Sequence, residues 1–220
     1  MSYSIAIDGP AGAGKSTIAR RIADEMNFIY VDTGAMYRAM ALYFIRNGIR
    51  PEDREKISEK CKNADITICH VDGEQVVLLE GENVNELIRT EEVGNMASVS
   101  SVNPEVRRKL VELQQRLARR TDVVMDGRDI ATCVLPDADV KIYLTASSAV
   151  RAKRRYDELR AKGVECNLEK IEQDIIERDE RDMNREISPL RKAEDAVLVD
   201  SSDMTIEEVV EKIIGLCRLG

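Results

Sequence analysis

Apolar residues come along this chain in two alternating patterns. Ser4 to Asp8 is a short apolar run of strand length, and Ile18, Ile22 and Met26 then recur every four residues, the spacing of one helix face. Ile29 to Asp32 and a helix through Tyr37 to Ile45 repeat the pairing. Val123 to Asp126, Val140 to Leu144 and Val197 to Asp200 are uninterrupted apolar runs, as expected of parallel strands covered on both faces. Residues 65–81 differ: DITICHV alternates, Asp72 and Gly73 mark a turn, and QVVLLEG returns, which predicts a hairpin with a two-residue turn. An antiparallel hairpin has no place in a parallel crossover, so residues 48–103 read as a small insert in an α/β core. Pro104 opens a helix to about Arg120, and Thr205 with Glu208 forms a capping box for a C-terminal amphipathic helix. Arg151 to Arg191 reads as two charged helices around a turn at Gly163.

Composition narrows the class. The chain has 220 residues, 43% hydrophobic and 34% charged, enough for one large α/β domain with smaller inserts. Its net charge of -8 disfavours a polyanionic partner, and two Phe with no Trp leave few platforms for stacking bases. The longest apolar run, Ala39 to Ile45, is far short of the roughly 18 residues of a membrane helix, and no signal peptide precedes the first strand. A cytoplasmic monomer with small ligands, no nucleic acid and no membrane is therefore expected. Five scattered cysteines read as reduced and structural; Cys61, Cys69 and His70 fit no zinc spacing, and His70 is the only histidine, which removes most His-based catalysis.

The chemistry begins directly after the first strand. Gly9, Pro10, Ala11, Gly12, Ala13, Gly14, Lys15 and Ser16 match GxxxxGK[ST], and Thr17 continues into the helix. Strand, glycine-rich loop and helix in that order aim backbone N–H groups and a helix dipole at an anion. Lys15 would reach the β/γ-phosphates of ATP and the Ser16 hydroxyl would hold Mg²⁺. The pattern thus predicts a P-loop NTPase core with a parallel sheet flanked by helices.

Two further clusters lie at strand ends. MDGRD closes the third apolar strand, and ligands of an open α/β sheet sit at the carboxyl ends of strands, so Asp126, Arg128 and Asp129 should share the crevice of the phosphate loop. Asp126 is either a Mg²⁺ partner acting through water or a helix cap with a salt bridge. DTGAMYR places Arg38 one turn inside a helix, a second phosphate site opposite the first. In the charged hairpin, Arg151, Arg154, Arg155, Arg178, Arg181 and Arg185 suit a phosphate-covering lid, although i,i+4 ion pairs on a solvated face explain the same pattern.

DGPAGAGKST, VDTGAMYR, LEGENVNELIRTEEV, MDGRDIATCVLPDADVKIYL and ERDERDMNR resemble, in order and over nearly the whole chain, the bacterial-type cytidylate kinases. The resemblance implies a nucleoside monophosphate (NMP) kinase transferring phosphate from ATP to CMP or dCMP. It implies a P-loop core over residues 1–47, 104–150 and 186–220, an NMP-binding insert over 48–103 and a helical lid over 151–185. It further implies that Arg38, Arg128 and Arg185 bind the CMP phosphate, with Thr33 and Tyr37 beside them. Asp182 and Arg178 would hold the sugar hydroxyls; Ser98, Arg107 and Asp129 would read the base, with Ser100 or Ser101 as alternatives to Ser98. Lys15, Arg128, Arg151, Arg155 and Arg185 would screen the transferring phosphoryl group. A regulatory GTPase would need NKxD and DxxG strings, and neither occurs; a P-loop kinase of another small metabolite would keep the loop and lid but not the base readers.

Overall fold

In the computed structural model, residues 2–71 and 74–217 are described. The elements run β1 (Ser4–Asp8), α1 (Lys15–Met26), β2 (Ile29–Asp32), α2 (Thr33–Arg46), α3 (Arg54–Lys60), β3 (Ile66–Val71), β4 (Glu74–Leu79) and β5 (Glu82–Asn83). They continue through α4 (Glu91–Ser100), α5 (Pro104–Ala118), β6 (Val123–Gly127), β7 (Val140–Thr145), α6 (Ser148–Ala161), α7 (Leu168–Asn184), β8 (Val197–Asp200) and α8 (Ile206–Cys217). The chain divides into two units, residues 1–30 with 121–220 and residues 31–120.

The first unit is built on a five-stranded sheet of order β2-β6-β1-β7-β8. β1 runs parallel to β6 and to β7, and β7 parallel to β8. Both neighbours of β1 arrive much later in sequence, so the direction of winding reverses there, and the carboxyl end of β1 is where such a sheet opens a crevice. The apolar strand runs explain the burial: Ile5, Ile7, Val124, Ile142, Leu144 and Val199 pack with Ile18 and Ile22 of α1 and Val210 and Ile213 of α8. Thr205 accepts the Glu208 amide on its hydroxyl while the Glu208 carboxylate accepts the Thr205 amide, the reciprocal cap expected from the sequence.

The second unit carries the hairpin. β3 and β4 pair antiparallel from Ile66↔Leu79 to Val71↔Glu74, and β5 adds a short third strand that alternation had not signalled because it is only two residues long. The turn residues Asp72 and Gly73 lie outside the described residues. Met36, Met40 and Phe44 of α2 are fully buried in this unit, as are Leu79, Ile88 and Leu110. α2 starts at Thr33, earlier than the Tyr37 from which its apolar face is legible, because the Asp32 carboxylate accepts the Ala35 amide at 2.9 Å and caps the helix. Asn103 caps α5 in the same way, with Pro104 in the first turn.

One element had no sequence signal. After β6 the chain enters a single π turn over Ile130–Val134, closed by the Leu135 amide donating to the Ile130 carbonyl at 2.7 Å. Among the described residues no helix is long and apolar enough to cross a membrane.

Candidate active site

The loop after β1 is held by its glycines. At Gly9 the backbone has φ +151°, and a Cβ there would stand 1.9 Å from the Leu144 carbonyl oxygen, so only glycine lets the chain pass over β7. Gly12, at φ +75°, lies against the Arg151 side chain. Arg151 is buried and threefold committed: its guanidinium donates to the Ala11 carbonyl at 2.9 Å, to the Ala146 carbonyl at 2.8 Å and to the Asp179 carboxylate at 2.6 Å. This one side chain ties the phosphate loop to α6 and α7.

Lys15 is buried, and its ammonium donates to the Pro10 carbonyl at 2.7 Å. Burial pushes its pKa down to about 7 and the Arg128 cation adds to that, while the Asp126 and Asp8 carboxylates pull the other way. The Ser16 hydroxyl donates to Asp126 Oδ2 at 3.0 Å, and the Tyr30 hydroxyl donates to Asp126 Oδ1 at 2.9 Å. The Asp126 carboxylate faces the loop serine. A hydroxyl and a carboxylate side by side, beside a loop for anionic oxygens, are the hard donors Mg²⁺ takes when phosphates supply the rest of its shell. Among the described residues no group of three or more His, Cys, Asp or Glu could hold a metal ion.

β6 delivers a second group of residues from the same unit. Arg128 Nε donates to Asp182 Oδ2 at 2.9 Å, and Arg185 Nη2 lies 3.7 Å from Asp129 Oδ1. The four residues thus meet as two crossed ion pairs between the end of β6 and the end of α7. Arg178 is exposed on α7, yet its charge is felt at Lys15. Arg155 is exposed and pairs with Glu158 of its own helix, so the structure does not draw it to the loop as it draws Arg151.

In residues 31–120, Thr33 is buried and Tyr37 and Arg38 are half-buried on α2. The Arg107 guanidinium is buried, stands 5.8 Å from the Tyr37 ring centre and donates to the Ser101 carbonyl at 3.4 Å. The hydroxyls of Ser100 and Ser101 turn back onto their own helix, to the carbonyls of Ala97 and Ser98, whereas Ser98 is half-buried on that helix.

Three residues of this site had no assigned role in the sequence: Asp8, Tyr30 and Asp179. Asp8, at the end of β1, accepts the amides of Ile130 and Ala131, both at 2.8 Å. Burial raises its pKa to about 6, against the lowering effect of those two bonds; the Asp129 charge raises it further and Lys15 lowers it. Its place beside the phosphate loop was a signal; Tyr30, read only as a strand residue, gave none.

The family model described as Cytidylate kinase matches residues 5–219. A cytidylate kinase of Caldicellulosiruptor bescii is 52% identical over 213 residues, covering 97% of this chain and 94% of its own. That of Carboxydothermus hydrogenoformans is 51% identical over 212 residues, covering 96% of each, and that of Bacillus subtilis (strain 168) is 47% identical over 211 residues, covering 96% and 94%. A solved structure of an uncharacterized protein from Eubacterium ventriosum superposes over all of both chains with a TM-score of 0.57 at 11% identity, which shows a shared fold alone. With its phosphate loop, its MDGRD strand end and its match from Ile5 almost to the C-terminus, the chain belongs to the cytidylate kinase family.

Proposed function

We propose that this chain transfers the γ-phosphoryl group of Mg·ATP to CMP or dCMP, giving ADP and CDP or dCDP. The observation that carries the reading is the delivery of Arg128 and Asp129 by β6 to Asp182 and Arg185, one strand away from a phosphate loop with a buried lysine. Guanidinium groups suit a monophosphate and paired carboxylates suit the hydroxyls and amine of a nucleoside.

Each role follows from the group's chemistry. Gly9 to Thr17 bind the ATP phosphates, with Lys15 on the β/γ oxygens. Ser16, with Asp126 behind it, holds Mg²⁺, which when bound neutralises charge on the β- and γ-phosphates. Arg38, Arg128 and Arg185 bind the CMP phosphate, Thr33 and Tyr37 flank it, and Asp182 with Arg178 takes the sugar hydroxyls. Asp129 accepts the exocyclic amine of cytosine, and Ser98 and Arg107 donate to its ring N3 and O2. Uracil would set a carbonyl against Asp129 and leave buried polar groups unpaired, which disfavours UMP.

The monophosphate already presents an anionic oxygen, so no covalent intermediate and no strong base are needed. The residues bring that oxygen in line with the γ-phosphate and screen two polyanions from each other. Lys15, Arg128, Arg151, Arg155 and Arg185 supply the positive surround. In this reading residues 48–103 form the monophosphate-binding insert, and residues 151–185 form a lid that keeps water from ATP, the remaining segments being the core. The protein acts as a monomer on nucleotides, without nucleic acid or membrane. Calorimetric titration with CMP and UMP tests the base reading: tight CMP and weak UMP binding is expected, and equal affinity for both would refute it.

A further inference from the structure

A helical turn leaves its first amides without carbonyl partners, and the residue just before it ordinarily accepts them with its own side chain. Asp129 occupies that position before the π turn Ile130–Val134 and is of the right type, yet its side chain makes no capping bond. Asp8 makes both instead, Oδ1 accepting the Ile130 amide and Oδ2 the Ala131 amide at 2.8 Å each, from a position 122 residues earlier than Ile130.

Asp8 is well placed for this. It is 1% exposed, and it is the last residue of a central strand, in register with Gly127 of β6 on one side and Tyr143 of β7 on the other. Its backbone is therefore fixed from both sides, and its carboxylate has little freedom. Asp129, relieved of the cap, has an extended φ of -147° and ψ of 29°, and its carboxylate lies on the Arg185 side, 3.7 Å from Nη2.

We propose that Asp8 is a positioning residue for substrate selectivity: by capping the π turn from the neighbouring strand it keeps the Asp129 carboxylate turned toward the nucleobase. The inference rests on the reading of Asp129 as the acceptor for the cytosine amine. Removing the Asp8 carboxylate orphans two buried amides, and Asp129, in the capping position, is the acceptor placed to take that of Ala131. In doing so it leaves the base. The loss is then one of discrimination between CMP and UMP, not only of stability.

The test is a double-mutant cycle on the ratio of kcat/KM for CMP over UMP, with the proteins Asp8→Ala, Asp129→Ala and the double variant. Asp8→Ala should lower the ratio by roughly tenfold or more, and should lower it no further once Asp129 is alanine. Asp8→Asn, which keeps the volume and one acceptor, answers the same question should the alanine variant not fold. Hydrogen exchange at the Ile130 and Ala131 amides should speed up in either Asp8 variant. An Asp8 variant that loses activity equally on both substrates, while Asp129→Ala collapses the ratio, overturns the proposal and leaves the base reading intact. An Asp129→Ala protein with an unchanged ratio overturns both.

Discussion

The Ser16 hydroxyl donates to Asp126 Oδ2 at 3.0 Å, joining the phosphate loop that follows β1 to the end of β6. The other carboxylate oxygen is occupied by the Tyr30 hydroxyl at 2.9 Å, and the Arg20 guanidinium lies over the Tyr30 ring at 5.4 Å. Both oxygens of Asp126 thus accept from hydroxyl groups, and its charge is felt at the buried Lys15 ammonium. Removing one such orienting hydrogen bond typically costs 10 to 100-fold in metal affinity or activity, so Tyr30→Phe should raise the Mg²⁺ concentration needed for half-maximal rate by roughly tenfold. Asp126→Asn should raise it more. Mg²⁺ titration of the rate, with Mn²⁺ binding followed by EPR in the presence of ADP, checks this; unchanged binding in both variants would remove Asp126 from the metal site.

Arg185 sits at the end of α7 with its guanidinium almost wholly buried beside Asp129 and its Nε donating to the Ser188 carbonyl. An ion pair buried in this way adds little net stability, since desolvation offsets most of the attraction. In the proposed function its role is to bind the incoming phosphate. Arg185→Ala should lower turnover by about 10³-fold, the lower end of what a transition-state arginine supplies, and should lower Tm by roughly 10 °C, because it leaves the buried Asp129 without that cation, while the protein stays folded at the assay temperature. Steady-state rates and a thermal melt on the same preparation decide it, and a variant with full activity would refute the phosphate role.

Gly9→Ala should be among the most damaging single substitutions in the loop. The added methyl meets the Leu144 carbonyl oxygen at 1.9 Å, backbone against backbone, so no rotamer change relieves it, and φ +151° is itself unfavourable for alanine. Loss of at least about 2 kcal/mol and of measurable ATP binding is expected. Gly12→Ala should be milder, because its methyl would stand 3.4 Å from Arg151 Cβ, ordinary contact distance, leaving backbone strain as the main cost. Chemical denaturation of the two variants should show that order.

Where the residues carry a strong local signal, the sequence and the structure coincide. β1, the glycine-rich loop and the face of α1 are fixed by an apolar run, a motif and a four-residue spacing that agree with one another. The β3–β4 hairpin is legible because alternation reverses at a turn. What escaped were arrangements between distant segments: Tyr30 reaching Asp126, Asp179 reaching Arg151, and Asp8 capping a π turn. No periodicity encodes a partner 96 or 122 residues away; only the sheet order brings such groups together. For Arg151 the sequence suggested a lid charge, and the structure adds three bonds that make it a brace for the loop.

Asp8 also gives the protein a pH signature. Its pKa is about 6 when folded against an ordinary 3.8, because burial outweighs the two amide bonds, with the Asp129 charge adding to the rise and Lys15 opposing it. The folded state therefore holds this proton longer than the unfolded chain does. Asp8 contributes stability that is fully present below about 3.8 and lost as pH rises through about 6, in all about 3 kcal/mol. Asp8→Asn carries no titrating group, so the stability of the unsubstituted protein minus that of the variant should fall across this window. Denaturant unfolding at intervals from pH 4 to 7 measures it, and parallel profiles would show that the carboxyl group is not perturbed.

In the proposed function Asp129, Ser98 and Arg107 read the cytosine base. The measurement that reaches this reading most directly is ADP release from Mg·ATP with CMP, dCMP, UMP, AMP, GMP and shikimate in parallel, using Lys15→Ala as the blank. Strong turnover of CMP and dCMP with weak turnover of UMP is the expected result. Turnover of a non-nucleotide alone, or equal turnover of CMP and UMP, would contradict it.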